Sequence, residues 1–279
     1  MSLLSVRGLS FSYLQEHTAA VRDISFNVAS GEHIALIGPN GSGKTTLFNL
    51  MAGFLNPGAG EILLDGQNIR SYPIRERARR IALVQQGGRI SFPYTCLETV
   101  LMGLHPHEGR FSHPDDRSLA RAEQVMRETG VWEFAGKNVT ELSGGQLQRV
   151  MLARAIIQIL PTHDAAGIPP GRILLLDEAL SELDIAARIM MMKILGVLAL
   201  EHRITIIGIH HDLSLVYQFT GRVIALSSGS IAADGAPQQV FTEDFFAGVF
   251  SVQAEIAPGK GFFFYDEKIQ EGKSVPKFG

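Results

Sequence analysis

Cysteine is nearly missing from this chain of 279 residues: Cys96 stands alone, which excludes an internal disulfide and fits a reducing compartment. Neither sign of charge dominates. The 25 Lys and Arg residues against 28 Asp and Glu leave a formal charge of −3. No broad basic face is implied, and nucleic acid is not an expected partner. Long apolar runs are absent too. Ile173 to Leu176 is short and Ile189 to Leu200 is broken by Lys193, so neither is expected to span a bilayer. Met1 to Arg7 lacks a basic stretch followed by an apolar core and does not read as a signal peptide. Repeats and low-complexity segments are missing as well. What remains is 46% hydrophobic and 19% charged, an ordinary balance for a globular protein with enough chain for one large domain or two modest ones.

Strand patterns come first along the chain. Leu3 to Tyr13 and Val21 to Val28 alternate apolar and polar residues, His33 to Ile37 is a short apolar strand, and Glu61 to Leu64 reads as another strand before Asp65-Gly66. From about Arg75 the pattern becomes helical, with Leu97 to Leu104, Asp115 to Thr129 and Gln146 to Leu160 as helices. Strands then return at Arg172 to Asp177, Ile204 to His210 and Arg222 to Ser227, with a helix over Ala186 to Leu200. Strands alternating with helices predict an α/β fold with a largely parallel sheet and ligands at the strand carboxyl ends. The stretch around Gly259 to Tyr265 predicts a small edge strand before a polar tail.

Between the strand at 33–37 and a helix predicted over Thr45 to Leu55 lies Gly38-Pro39-Asn40-Gly41-Ser42-Gly43-Lys44-Thr45-Thr46, which fits the phosphate-cradling pattern G-x-x-x-x-G-K-[ST]. Its glycines let the backbone turn its N–H groups toward phosphate oxygens while the following helix presents its positive end. Lys44 is expected to reach the β and γ phosphates and Thr45 to ligate Mg²⁺. A second site is Ile173-Leu174-Leu175-Leu176-Asp177-Glu178, a buried strand delivering two acids at its end. Asp177 is expected to hold Mg²⁺ through water and Glu178 to orient or deprotonate the attacking water. The third is Leu142-Ser143-Gly144-Gly145-Gln146, at the head of a helix. Ser143 with Gln146 is a capping box, and the glycines alone could be a helix entry; two glycines at a helix start also expose N–H donors to an anion.

With that LSGGQ run lying between the phosphate loop and the acidic strand, the chain resembles the ATPase subunits of ABC transporters. The resemblance implies a P-loop NTPase (RecA-like) core, an N-terminal antiparallel β subdomain and an inserted helical subdomain. Its boundaries would be 1–86 and 156–258 for the core, 87–155 for the helical signature part and 259–279 for a C-terminal tail, all within one ATPase domain. It further implies that Tyr13 stacks on adenine, that Gln86 touches Mg²⁺ and the attacking water, that His211 contacts the γ-phosphate, and that Asp184 belongs to a loop crossing a dimer interface. ATP and Mg²⁺ are the implied ligands. In this family the signature of one subunit faces the phosphate loop of another, so Ser143, Gly144, Gly145 and Gln146 would complete a partner's site in a homodimer. Two integral-membrane permease subunits and, indirectly, a substrate-binding protein are the further implied partners, at the cytoplasmic face of the cell membrane.

Two departures stand out. Where the family continues from the glutamate with Pro-Thr-Ser-Ala-Leu-Asp, this chain has Ala179-Leu180-Ser181-Glu182-Leu183-Asp184. Losing proline frees φ at 179, which predicts a looser Glu178, and Glu182 puts an acid near the expected interface. Phe92 to Gly103 looks like the corresponding stretch in importers of iron-siderophores, haem and cobalamin, and the insertion Leu160 to Pro170 is similar to the haem and cobalamin members. His105, His107 and His113, in a Pro/Gly-rich stretch, read as surface residues rather than a metal site. Alternative readings are a soluble ABC ATPase of a non-transport machine, such as iron-sulfur assembly, and a regulatory module that binds nucleotide without turning it over.

Overall fold

A computed structural model describes residues 2–13, 18–85, 92–107, 114–160, 171–257 and 261–265. The first part runs β1 (Leu4–Phe11), β2 (Val21–Val28), β3 (His33–Ile37), α1 (Lys44–Met51), β4 (Ala59–Leu64), β5 (Gln67–Asn68), α2 (Ile74–Arg80) and β6 (Ile81–Val84). Three helices follow: α3 (Cys96–Leu101), α4 (Asp116–Glu128) and α5 (Gly144–Ile159). The chain then builds β7 (Arg172–Asp177), α6 (Ile185–Leu200), β8 (Ile204–Ile209), α7 (Leu213–Phe219), β9 (Arg222–Ser227) and β10 (Ser230–Gly235). Two short helices, α8 (Pro237–Val240) and α9 (Glu243–Phe245), precede β11 (Gln253–Ala257) and β12 (Gly261–Tyr265).

The main sheet has the order β10-β9-β3-β8-β7-β6, parallel throughout except for β10, and a second sheet, β2-β1-β4-β5, is antiparallel. This is the expected α/β architecture, and its central strands are uninterrupted apolar runs because both faces are covered. Successive side chains go to opposite layers. Ile173 and Leu175 join Ile34, Leu36, Phe48 and the antiparallel sheet, whereas Leu174 and Leu176 pack with α5 and α6. The helices α3, α4 and α5 share that second core, through Val100, Met126 and Ile156.

Three expectations need correction. The helix after the phosphate loop ends at Met51, not near Leu55, because Gly53 takes φ 75 and its N–H turns back to the Leu50 carbonyl. The region after Arg75 is not all helical: β6 follows α2 directly and pairs with β7, with Ile81 opposite Ile173 and Val84 opposite Leu176. The C-terminal strand β12 pairs with β11 in its own two-stranded sheet rather than edging a larger one. Residues 161–170 of the predicted insertion and the tail from 266 lie outside the described residues.

Candidate functional site

Register in the main sheet places the site. Leu36 on β3 is opposite Ile209 on β8, and Ile209 is opposite Asp177 on β7. Parallel pairing therefore brings the loop after β3, the acids after β7 and the histidines after β8 to one edge.

The loop Gly38 to Gly43 joins β3 to α1. Gly38 has φ 145 and Gly43 φ 99, and a Cβ at either would collide with backbone, at the Leu226 and Ala20 carbonyls respectively. Only glycine fits there. Gly41 also takes positive φ but faces open space. Pro39 and Asn40 form the outer bend, closed by the Ser42 N–H on the Pro39 carbonyl at 3.2 Å. Lys44 is buried and its Nζ donates to the carbonyls of Gly38 and Pro39 at 2.9 and 2.8 Å. Burial holds its amine below the usual lysine range, against the opposing pull of the Glu178 and Asp177 carboxylates. Thr45 is exposed beside it, and the Thr46 hydroxyl lies 3.1 Å from the Tyr13 hydroxyl. Tyr13 stands edge-on to Phe11 and keeps 40% of its surface open.

Asp177 ends β7 half-buried. Burial raises its carboxyl above the usual range and the neighbouring Glu178 charge adds to this, while Lys44 and His211 oppose it. Glu178 takes a left-handed backbone, φ 51, which costs a non-glycine residue about 1–2 kcal/mol and turns its side chain off the strand line. Its Oε1 lies 2.6 Å from Nε2 of His211. The looser Glu178 expected from the missing proline is countered by burial: Ala179, Leu180 and Leu183 are 3%, 5% and 5% exposed and anchor the loop in the core.

Ser143 caps α5. Its hydroxyl accepts from the Gln146 N–H at 3.3 Å and the Gln146 side chain answers from the Ser143 N–H at 3.0 Å. Ser143 and Gly144 are exposed. Asp184 is the corresponding cap of α6, accepting from Ala187 N–H at 2.7 Å. The structure thus gathers Gly38 to Thr46, Tyr13, Asp177, Glu178 and His211 at one edge. Ser143, Gly144, Gly145 and Gln146 sit instead with Glu182 at the head of α5. Gln86 lies outside the described residues, as does His113. His107 is not a simple surface residue: its Nε2 meets the Gln158 carbonyl at 2.7 Å and burial lowers its pKa.

Residues 21–181 match the family model described as ABC transporter. The chain belongs to the ABC transporter family. A cobalamin import ATP-binding protein of Halobacterium salinarum is 34% identical over 86% of this chain, which spans only 57% of that relative's length. A hemin import ATP-binding protein of Rhodopseudomonas palustris is 37% identical, covering 85% of this chain and 86% of its own. Among solved structures, a chain from an inward-facing metal-chelate type ABC transporter superposes with a TM-score of 0.77 at 25% identity, over 96% of this chain and all of its own. A dimeric ATP-binding cassette in a post-hydrolysis state with ADP and Pi gives 0.73 at 26% identity, over 84% and 98%.

For a member of this family the donors fit a nucleotide. Ser42 Oγ is sealed inside the loop with no hydrogen-bond partner, and a phosphate oxygen would satisfy it. Thr45 and Asp177 offer hard oxygens suited to Mg²⁺. Among the described residues no group of three or more His, Cys, Asp or Glu gathers that could hold a metal alone, so such an ion would depend on phosphate oxygens. Sequence reasoning missed Arg188, whose guanidinium reaches Asp212 and two carbonyls of the 178–184 loop; no local motif marks an arginine that acts across α6.

Proposed function

We propose that this chain is the ATP-hydrolysing subunit of an importer for a metal chelate of the iron-siderophore, haem or cobalamin class. The observation that carries the reading is the convergence of Lys44, Asp177, Glu178 and His211 at the carboxyl ends of neighbouring parallel strands. In this scheme the loop amides, Ser42 and Lys44 bind the triphosphate, and Tyr13 carries adenine. Glu178 orients the attacking water and accepts its proton. His211 holds Glu178 from one side and reaches toward the γ-phosphate, for which a hydrogen bond suffices. Thr45, Asp177 and Gln86 would hold Mg²⁺, which neutralises developing phosphate charge when bound.

The working unit is a homodimer in which Ser143, Gly144, Gly145 and Gln146 complete the partner's site, with Asp184 at the interface. No helix among the described residues is long and apolar enough to cross a membrane. In the proposed assembly two permease subunits carry the cargo, fed by a substrate-binding protein, and the chain works peripherally at the cytoplasmic face. The chelate class is supported by the hemin and cobalamin names of the relatives and by the metal-chelate transporter neighbour.

Glu178→Gln tests the chemistry: it should retain ATP, lose turnover and accumulate an ATP-bound dimer. Undiminished turnover refutes the role of Glu178. Copurification with a polytopic membrane protein, followed by chelate-stimulated ATPase activity in proteoliposomes, tests the transport reading; copurification with soluble proteins alone sinks it.

A further inference from the structure

We propose that Arg188 is a positioning residue for ATP hydrolysis, tying the loop after Glu178 to the loop that carries His211 so that the two side chains stay in register. The inference rests on the roles proposed for Glu178 and His211. Arg188 lies in the first turn of α6, its backbone N–H donating to the Asp184 carbonyl at 2.9 Å. From there Nη1 reaches Oδ2 of Asp212 at 3.1 Å, and Nη2 reaches the carbonyls of Leu183 at 2.9 Å and Ser181 at 3.5 Å. Asp212 follows His211 directly, and its other oxygen caps α7 by accepting the Leu215 N–H at 3.2 Å. With the 2.6 Å contact between Glu178 and His211, these links close a circuit: Glu178, His211, Asp212, Arg188, the carbonyls at 181 and 183, and back along the chain to Glu178. The circuit rims a cleft of about 170 Å³ lined by Glu178, Ser181, Arg188, His211 and Asp212.

The chemistry calls for arginine. A carboxylate on one loop and carbonyls on another are met at once by the two arms of a planar guanidinium, whereas an ammonium offers a single point charge. The pair is half-buried, with side chains 24% and 37% exposed, so geometry rather than Coulomb energy is what it contributes. It also acts where constraint is wanted: Glu178 holds a strained, left-handed backbone. A loop bearing a water-orienting carboxylate must be fixed to well under an ångström, since small misplacements cost large factors in rate.

The test is steady-state ATP hydrolysis by the full-length chain carrying Arg188→Ala, Arg188→Lys or Asp212→Asn. Arg188→Ala should lower kcat by about 10–100-fold, as a misplaced catalytic group does, with KM for ATP within about two-fold of the parent. Arg188→Lys should recover part of kcat by restoring the Asp212 contact alone, and it carries the test should the alanine variant melt early. Asp212→Asn, which keeps the cap on α7, should add little once Arg188 is gone. A parental kcat in Arg188→Ala, a KM that rises in step with the fall in kcat, or additive effects of Arg188→Ala and Asp212→Asn overturns the proposal. Glu178→Gln separates the two levels. A silent Glu178→Gln beside a fully active Arg188→Ala removes only the role of Arg188, while an active Glu178→Gln removes the site reading beneath it.

Discussion

The carboxylate of Glu182 rests against the backbone of Gly144, so closely that a Cβ at 144 would collide with it, and the Glu182 N–H donates to Oε1 of Gln148 at 3.2 Å. An acid of the 178–184 loop thus sits at the head of α5 in the same chain, where the helix presents its free N–H groups and positive end. These are the groups assigned above to a partner's ATP. On that proposal Glu182 must yield before a triphosphate can take its place. A charge at a helix N-terminus is worth about 0.3–1 kcal/mol, so Glu182→Gln in a Glu178→Gln background should form its ATP dimer at about 2–5-fold lower ATP. Sedimentation against ATP concentration reads this directly, and a shift toward higher ATP would show instead that the acid assists closure.

The cap that Ser143 provides for α5 is separable from the contact with a partner's ATP proposed for it. Removing its hydroxyl in Ser143→Ala should destabilise α5 by about 0.5–2 kcal/mol, the usual cost of a lost cap. Ser143→Asp keeps a capping oxygen but points a charge at the incoming phosphate. Its melting temperature should match the parent while ATP-driven dimerisation fails; normal dimerisation by the aspartate variant would remove Ser143 from the interface.

Gly43 offers a sharp test of the loop. With φ 99 and the Ala20 carbonyl in the way, Gly43→Ala must both adopt a strained backbone and displace β2's leading edge. The expected loss is at least about 1–3 kcal/mol of stability with weakened ATP binding. Gly41→Ala meets no neighbour and pays only the backbone term, so it should be the milder of the two in chemical denaturation.

His33 sets a pH dependence. It is buried at the start of β3 with no hydrogen bond of good geometry to either ring nitrogen, although the Phe219 backbone favours the protonated ring slightly. Burial brings its pKa from 6.5 down to about 4. Below pH 6.5 the unfolded chain takes up a proton that the fold refuses, so stability is complete above that pH and drains away as pH falls toward 4, by on the order of 3 kcal/mol. His210, also held neutral by burial, titrates in the same sense. Urea denaturation at pH 7 and pH 4.5 should show a smaller acid loss for His33→Leu than for the parent, and equal losses would contradict the assignment.

Strong local signals were the ones the chain displayed openly. Arg172 to Asp177 and Arg222 to Ser227 have the bounds of β7 and β9, because four consecutive aliphatics covered on both faces leave little freedom. The loop motif was equally visible, since glycine positions and the lysine are dictated by backbone geometry within nine residues. β6 was hidden because it starts where α2 stops, with no glycine or proline between Arg80 and Ile81. The early end of α1 turned on a single left-handed glycine. Contacts such as Glu182 with Gly144 and Arg188 with Asp212 join segments far apart in the chain, and no spacing rule announces them.

Lying between the loop strand and the acid strand, β8 has a consequence of its own. Ile209 is paired on one side with Leu36 and on the other with Asp177, so this one strand gauges the gap between the glycine loop after β3 and the acids at the end of β7. Slipping it by a single residue would send His211 to the far side of the sheet. The spacing of the site is thus set by the six residues Ile204–Ile209, all of them buried within the sheet.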